Sequence, residues 1–151
     1  MFEVPSDSDC AFCKYLSGSE PCVFVTRGRQ VAVFMNRAQY ERGAVLLVPN
    51  RHVETILDLD EAVMRDLFVE AQRLASGMIA AFGAVGLNMF QNNGAPAGQT
   101  IAHYHVHLVP RYPDSDSRRI FREEDYPHAS RDELEARAAE LRAVLEEQRR
   151  V

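Results

Sequence analysis

The chain is nearly devoid of lysine: Lys14 is the single lysine among 17 basic residues, and the rest are arginine. Positive charge as a whole is in deficit. Against those 17 stand 22 acidic residues, a formal net charge of −5. A general nucleic-acid binder needs a net basic footprint, so that class is excluded. The arginine bias itself carries no functional weight. A long apolar run is also missing. The longest weakly apolar stretch, around Met78 to Leu87, is broken by Gly83 and Gly86. It falls far short of the ~20 residues that span a bilayer, so no membrane partner is expected. The opening residues, MFEVPSDSDC, are acidic and show no basic region followed by an apolar stretch. Cysteines are few, and three of them cannot all pair internally. The expectation is a cytoplasmic protein whose thiols are free or bound to metal. Internal repeats and low-complexity tracts are absent as well.

What remains is an ordinary globular composition over 151 residues, 46% hydrophobic and 26% charged. One domain over 1–151 is expected, burying roughly 68–70% of its unfolded surface without disulfides. Residues 1–9 are polar and expected to be loose. Val23–Val25 and Val31–Phe34 flank Arg27-Gly28-Arg29 as a hairpin. Val45–Val48 is a dense apolar run stopped by Pro49, a buried strand. Asp58 and Glu61 resemble a capping box. Val63, Leu67, Ala71, Leu74, Met78 and Phe82 then mark one apolar helix face, ended by Gly83. Leu87–Gln91 reads as a strand, 92–99 as a loop, and 100–109 as an alternating strand before a polar stretch from Pro110. Ser130 and Glu133 open a charged C-terminal helix with a thin stripe of Leu134, Ala138, Leu141 and Leu145. Such a stripe suits packing along an edge or facing a partner.

His103, His105 and His107 alternate along the last predicted strand, so all three should face one side, about 6.6–6.8 Å apart. A histidine row is hard to maintain for packing alone, because each ring needs hydrogen-bond partners. Three chemistries fit it. All three could hold a catalytic zinc. One could be a nucleophile with the others serving a phosphate and a leaving group. Or one could serve a metal while the others do chemistry. Cys10 and Cys13, a Cys-x₂-Cys pair at zinc-ligand spacing, favour the third. The pair needs two more ligands, and His52 is the sole histidine outside the row and the tail. No strand precedes the pair, which disfavours a redox dithiol. Cys22 reads as a small, partly buried apolar residue.

These residues together resemble the histidine triad family. The run from Gln99 through His103, His105 and His107 to Val109 carries the likeness. So do Leu46–His52, Cys10–Lys14, Asn92-Asn93-Gly94 and Ala97-Gly98-Gln99, the cysteine segment resembling the bacterial zinc-containing members. The resemblance covers residues 10–111 and leaves 112–151 as an extension. It implies an α+β fold: an antiparallel sheet of about five strands, one long helix and a C-terminal helix. It also implies a homodimer joined through the long helix and a strand. The implied activity is hydrolysis or nucleotidyl transfer at the α-phosphate of a nucleoside phosphoramidate or dinucleoside polyphosphate, through a covalent nucleotidyl-histidine. Alternatives are a nucleotide-binding dimer with weak catalysis, and a dinucleoside polyphosphate phosphorylase. A purine nucleotide is the implied partner.

By position, His105 is the implied nucleophile and His107 contacts the phosphate or assists the leaving group. A backbone carbonyl on a neighbouring strand should fix the His105 tautomer. Asn92, Gln99 and Thr100 are implied phosphate donors, with Gly94 and Gly98 admitting backbone amides to the anion. Cys10, Cys13, His52 and His103 are implied ligands of one structural zinc per chain. Phe12, Tyr15, Phe34 and Leu46 fall at the base pocket. Asn36 stands where the family carries an aspartate that accepts ribose hydroxyls, which puts ribose recognition in question. Gln39 and Ala44 depart from a common proline and histidine, as loop and surface variation. Arg111 is placed either to reach a distal phosphate or to lie in solvent. His128 is given no role.

Overall fold

Alternation along two central strands decides what lies on each side of the molecule. In this computed structural model, which describes residues 1–6, 9–116, 118 and 125–150, β2 (Val31–Met35) and β3 (Val45–Pro49) are buried along their whole length. Val31, Val33, Met35, Val45 and Leu47 face one layer, and Ala32, Phe34, Leu46 and Val48 face the other. A strand covered on both faces must be apolar throughout, which is why Val45–Val48 is a continuous apolar run.

Five strands form one antiparallel sheet in the order β1-β2-β3-β5-β4, with β1 at Phe24–Arg27, β4 at Gly86–Phe90 and β5 at Val106–Arg111. The long helix α2 (Glu61–Phe82) joins β3 to β4 and lies across the first face with Leu67, Ala71, Leu74, Met78 and Phe82 inward. Val63, expected on that apolar face, is only partly buried at its edge. The short helix α1 (Ala11–Ser17) lies on the second face, where Phe12 packs on Phe34 and Leu46. The fold is therefore α+β with a five-stranded antiparallel sheet.

The structure corrects several local expectations. Helix α1 has no counterpart in the sequence reading, because seven residues are too few to show a period. The N-cap of α2 is Asp60 rather than Asp58. Asp58 instead closes a 3₁₀ turn, Ile56–Asp58, and accepts from the Thr55 hydroxyl. The last strand begins at Val106, six residues later than expected, and runs through Pro110 to Arg111. Proline is tolerated there because β3 pairs only with Val106–Leu108. Residues 1–6 are not wholly loose: the Glu3 carbonyl accepts from the Ala95 amide at 2.7 Å. Residues 7 and 8 of the same expectation lie outside the described residues.

The C-terminal helix α3 (Arg131–Gln148) opens on the expected capping box, with Ser130 and Glu133 satisfying each other's backbone donors. Its stripe is neither an edge nor a free face. Leu134, Ala138, Leu141 and Leu145 belong to the same core as α2 and the sheet. Contact is close because α2 presents Gly77 there. A Cβ at that position would stand 2.7 Å from one Leu145 methyl and 3.0 Å from one of Leu141. Leu141→Ala should therefore destabilise the protein by about 2–5 kcal/mol, the range for emptying a buried leucine site. Urea unfolding measures this. A loss below about 0.5 kcal/mol, typical of a surface site, would show that α3 is not part of the core.

Candidate active site and metal centre

Three histidines at alternate positions do not form one row, because regular strand begins only at Val106. Residues 101–103 bend, with the His103 amide donating to the Ile101 carbonyl at 2.8 Å. The bend turns the wholly buried His103 ring toward α1 and the end of β3. His105 and His107 instead line a cavity of about 1190 Å³ on the second face of the sheet. A catalytic ion held by all three rings is thus excluded by their arrangement. His103 belongs to a different cluster.

That cluster is Cys10, Cys13, His52 and His103, whose ligand atoms all lie within 4.8 Å of one another. Cys10 is the N-cap of α1, and Cys13 lies one turn on. The helix thus aims both thiols at one point, and the Cys13 amide donates to Cys10 Sγ at 3.4 Å. His52 follows the end of β3. Cys13 Sγ lies 3.3 Å from His52 Nδ1, Cys10 Sγ 3.4 Å from His103 Nδ1, and Cys13 Sγ 3.7 Å from His103 Nδ1. A tetrahedron with ordinary zinc–sulfur and zinc–nitrogen bonds has sulfur–nitrogen edges of about 3.5 Å. The three separations match it.

The chemistry of the donors agrees with the geometry. His103 Nε2 donates to the Pro49 carbonyl at 3.0 Å, which leaves the lone pair on Nδ1, toward the cysteines. Burial lowers the His103 pKa to about 4, so the ring is in its neutral, ligating form at pH 7. Burial, and the nearby Cys10 thiol after it, raise the Cys13 thiol to about 11. The Cys13 thiol resists ionising without a cation, and a divalent metal reverses that balance. Cys22 stays outside the cluster, half-buried, its thiol raised to about 11 by burial.

At the cavity, His105 Nδ1 donates to the His103 carbonyl at 2.7 Å. The partner carbonyl is two residues upstream rather than on a neighbouring strand. With the proton held on Nδ1, the lone pair of the imidazole is on Nε2. The ring is set edge-on against Phe12, centroids 5.2 Å apart at 88°. His107 lies in a cross-sheet row, Phe34–Leu46–His107–Phe90, whose members share the cavity face. Phe90 stacks on its ring at 4.3 Å and 5°. Burial first, and the neighbouring His105 second, lower the His107 pKa to about 3, so this ring is uncharged at pH 7. Its Nδ1 is buried without a hydrogen-bond partner.

The other expected site residues divide into two groups. Phe12, Tyr15, Phe34, Leu46, Asn36, Asn92, Gly98 and Thr100 all line the cavity. Gln99 does not. Its side chain is buried inside the loop, accepting from the Gly94 amide at 2.7 Å and donating to the Glu54 carbonyl at 2.8 Å. The loop amides are also largely used internally. Ala95 donates to Glu3, Ala97 and Gln99 to Gly94, and Gly98 to Ala95. The turn is closed by Gly98 at φ 86° rather than being an open nest of amides.

Three further expectations fall. Arg111 reaches neither a distal phosphate nor solvent; it is buried, bonded to the Asp116 carbonyl and 3.4 Å from Glu41. Ala44 is fully buried and Gln39 partly so, hence neither is surface variation. The Gln39 amide ties the β2–β3 loop together through Asn36, Gly43 and Ala44, and accepts from Arg137 of α3. Tyr40 and Phe90, which flank His107, were not foreseen. Cross-strand register would have found Phe90, but Tyr40 comes from an irregular loop with no period to read.

Known proteins resemble most of this chain. A family model described as the HIT domain matches residues 17–114. "Protein hit" of Bacillus subtilis is 32% identical over 108 residues, 72% of this chain and 74% of that protein. A bis(5'-adenosyl)-triphosphatase of Dictyostelium discoideum is 33% identical, over 70% of this chain and 73% of that one. The crystal structure of a zinc-bound histidine triad family protein from Mycobacterium smegmatis superposes with a TM-score of 0.81 at 25% identity, covering 94% of this chain and 96% of that one. His52, His103, the two cavity histidines and all five strands lie within the matched residues 17–114, and the chain belongs to the HIT family.

Proposed function

We propose that the protein is a nucleotide hydrolase or nucleotidyl transferase that cleaves at the α-phosphate of a nucleoside phosphoramidate or dinucleoside polyphosphate. The observation that carries this reading is the hydrogen bond from His105 Nδ1 to the His103 carbonyl, which makes Nε2 the nucleophilic nitrogen at the cavity. The triphosphatase relative supports the substrate class. Nε2 attacks the α-phosphorus, a phosphorus–nitrogen bond forms, and the bond to the leaving group breaks. The leaving group takes its proton from solvent. Water then cleaves the phosphorus–nitrogen bond and restores the neutral ring. His107, held uncharged, serves as a hydrogen-bonding partner to a phosphate oxygen rather than a standing acid. Asn92 and Thr100 supply neutral donors, while Gln99 braces the loop that carries them. Phe12, Tyr15, Phe34 and Leu46 take the purine, and Asn36 faces the ribose.

Zinc, one per chain, would be held by Cys10, Cys13, His52 and His103, where it supplies a structural cross-link between α1, the end of β3 and the segment before β5. Four protein ligands fill a tetrahedral site, so no position is open for catalysis.

A homodimer completes the proposal. The outer edge of β4 has no partner strand among the described residues, and Val85, Leu87 and Met89 are exposed along it. An exposed apolar edge of this kind invites pairing with a second copy.

Three measurements test these readings. His105→Ala should lower turnover of adenosine 5'-phosphoramidate or diadenosine polyphosphate by about 10⁴-fold or more while AMP still binds. Wild-type turnover in that variant would refute the mechanism. The purified protein should carry about one zinc per chain by elemental analysis, lost in Cys10→Ser, and chelation should lower activity and melting temperature together. Metal retained in Cys10→Ser would overturn the ligand set. Met89→Lys should shift sedimentation from dimer to monomer, and a wild-type protein that sediments as a monomer at micromolar concentration would remove the dimer.

A further inference from the structure

The α-phosphate chemistry uses His105, His107, Asn92 and Thr100, and leaves another part of the cavity unexplained. That part lies beyond Asn36 and is built by Arg37, which follows β2, and by Ala129 and Arg131, at the start of α3. The backbone joins the two segments. The Ala129 amide donates to the Arg37 carbonyl at 3.0 Å, and Ala38 bridges His128. Two arginines from segments about ninety residues apart are thus brought to one rim.

Charge is sparse in this cavity, which makes its placement informative. Among the described residues the charged lining groups are Glu20, Arg37 and Arg131. Glu20 is paired with Lys14 at 3.0 Å. Arg131 has Glu135 at 3.9 Å, but both side chains are well exposed and such a pair is weak. The phosphate-loop side has no cation among the described residues. Asn36, between the two regions, carries no charge either. A carboxylate at that position would repel a second anion, whereas an amide can donate to one.

The spacing matches a nucleotide. Strands β2 and β5 are two positions apart in the sheet, about 9.5 Å. Asn36 and Arg37 continue the line of β2 beyond the row Phe34–Leu46–His107. A ribose whose 5'-phosphate met His105 while its 2'- and 3'-oxygens faced Asn36 would bring those oxygens to this rim. Guanidinium forks match the oxygens of a phosphomonoester.

We propose that Arg37 and Arg131 form a second phosphate subsite, which takes a phosphomonoester on the 2'- or 3'-oxygen of the nucleotide. The proposal rests on the nucleotide-hydrolase reading and narrows its substrate class to 5'-substituted nucleotides with a phosphorylated ribose.

Calorimetric titration of the purified metal-containing protein with AMP, adenosine 2',5'-bisphosphate and adenosine 3',5'-bisphosphate tests it. One bisphosphate should bind about tenfold or more tighter than AMP, and the isomer that does so identifies the oxygen. In the Arg37→Ala/Arg131→Ala variant this ratio should collapse to below about twofold. Asn36→Asp should lower the ratio in the same direction by adding a repelling charge. If AMP binds as tightly as both bisphosphates, or the ratio survives in the double variant, the subsite is refuted and the hydrolase reading stands. If AMP itself does not bind, both fall.

Discussion

Much of this site depends on one residue, His103, used three times over. Its Nδ1 meets the two cysteines, its Nε2 donates to the Pro49 carbonyl, and its own carbonyl holds the His105 proton. The side chain and backbone of a single buried residue thus connect the cysteine–histidine cluster to the His105 tautomer. A backbone shift at His103 would move its ring and its carbonyl together and misorient His105. Under the proposed roles, that is a physical reason for a closed cluster to sit beside His105. It fixes a hydrogen-bond acceptor that no side chain provides, in a segment that is not regular strand.

The sheet supplies the remaining constraint by dividing the molecule. One face carries α2 and α3 and is filled with aliphatic side chains. The other carries α1 and the cavity, so Phe34 of β2 and Phe90 of β4 become cavity walls. Stability is concentrated on one side and chemistry on the other, although β2 and β3 contribute to both. Gly43 shows how tightly the two are tied. It has φ 94°, and a Cβ there would stand 2.5 Å from the Phe82 ring at the end of α2. The loop that leads from Asn36 back into β3 is therefore seated directly on the helix layer.

The sequence made some of this legible and hid the rest for definable reasons. Periodicity located α2, α3 and the buried central strands, since each is long or apolar enough to show its pattern. Pairing of Cys10 and Cys13 with His52 and His103 followed from family resemblance, and the donor atoms do converge. Alternation misled at residues 100–105. The spacing of His103, His105 and His107 reads as strand, yet a bend at 101–103 sends His103 out of the row. Residues with two polar ends were the hardest to place. Gln99, Gln39 and Arg111 each looked like a surface or ligand-facing group, but the fold turns them inward onto backbone carbonyls and amides. Such roles are set by where loops fall relative to one another, and no local pattern encodes that. The same applies to Arg37 and Arg131, whose proximity comes from a backbone contact between distant segments.

The distribution of charge has a mechanistic consequence. A cation beside the α-phosphate would hold substrate, intermediate and product alike, and uniform binding of this kind does not accelerate the chemical step. Neutral donors and the uncharged His107 ring avoid that penalty. Binding energy taken from groups remote from the reacting phosphorus can instead be used to position it against His105 Nε2. Among the described residues the lining arginines stand at the far rim, away from His105, and under the proposed roles that gives this division within one cavity. They also reconcile an anionic substrate with a chain of net charge −5. Only the local field at the rim has to be positive for such a substrate to bind.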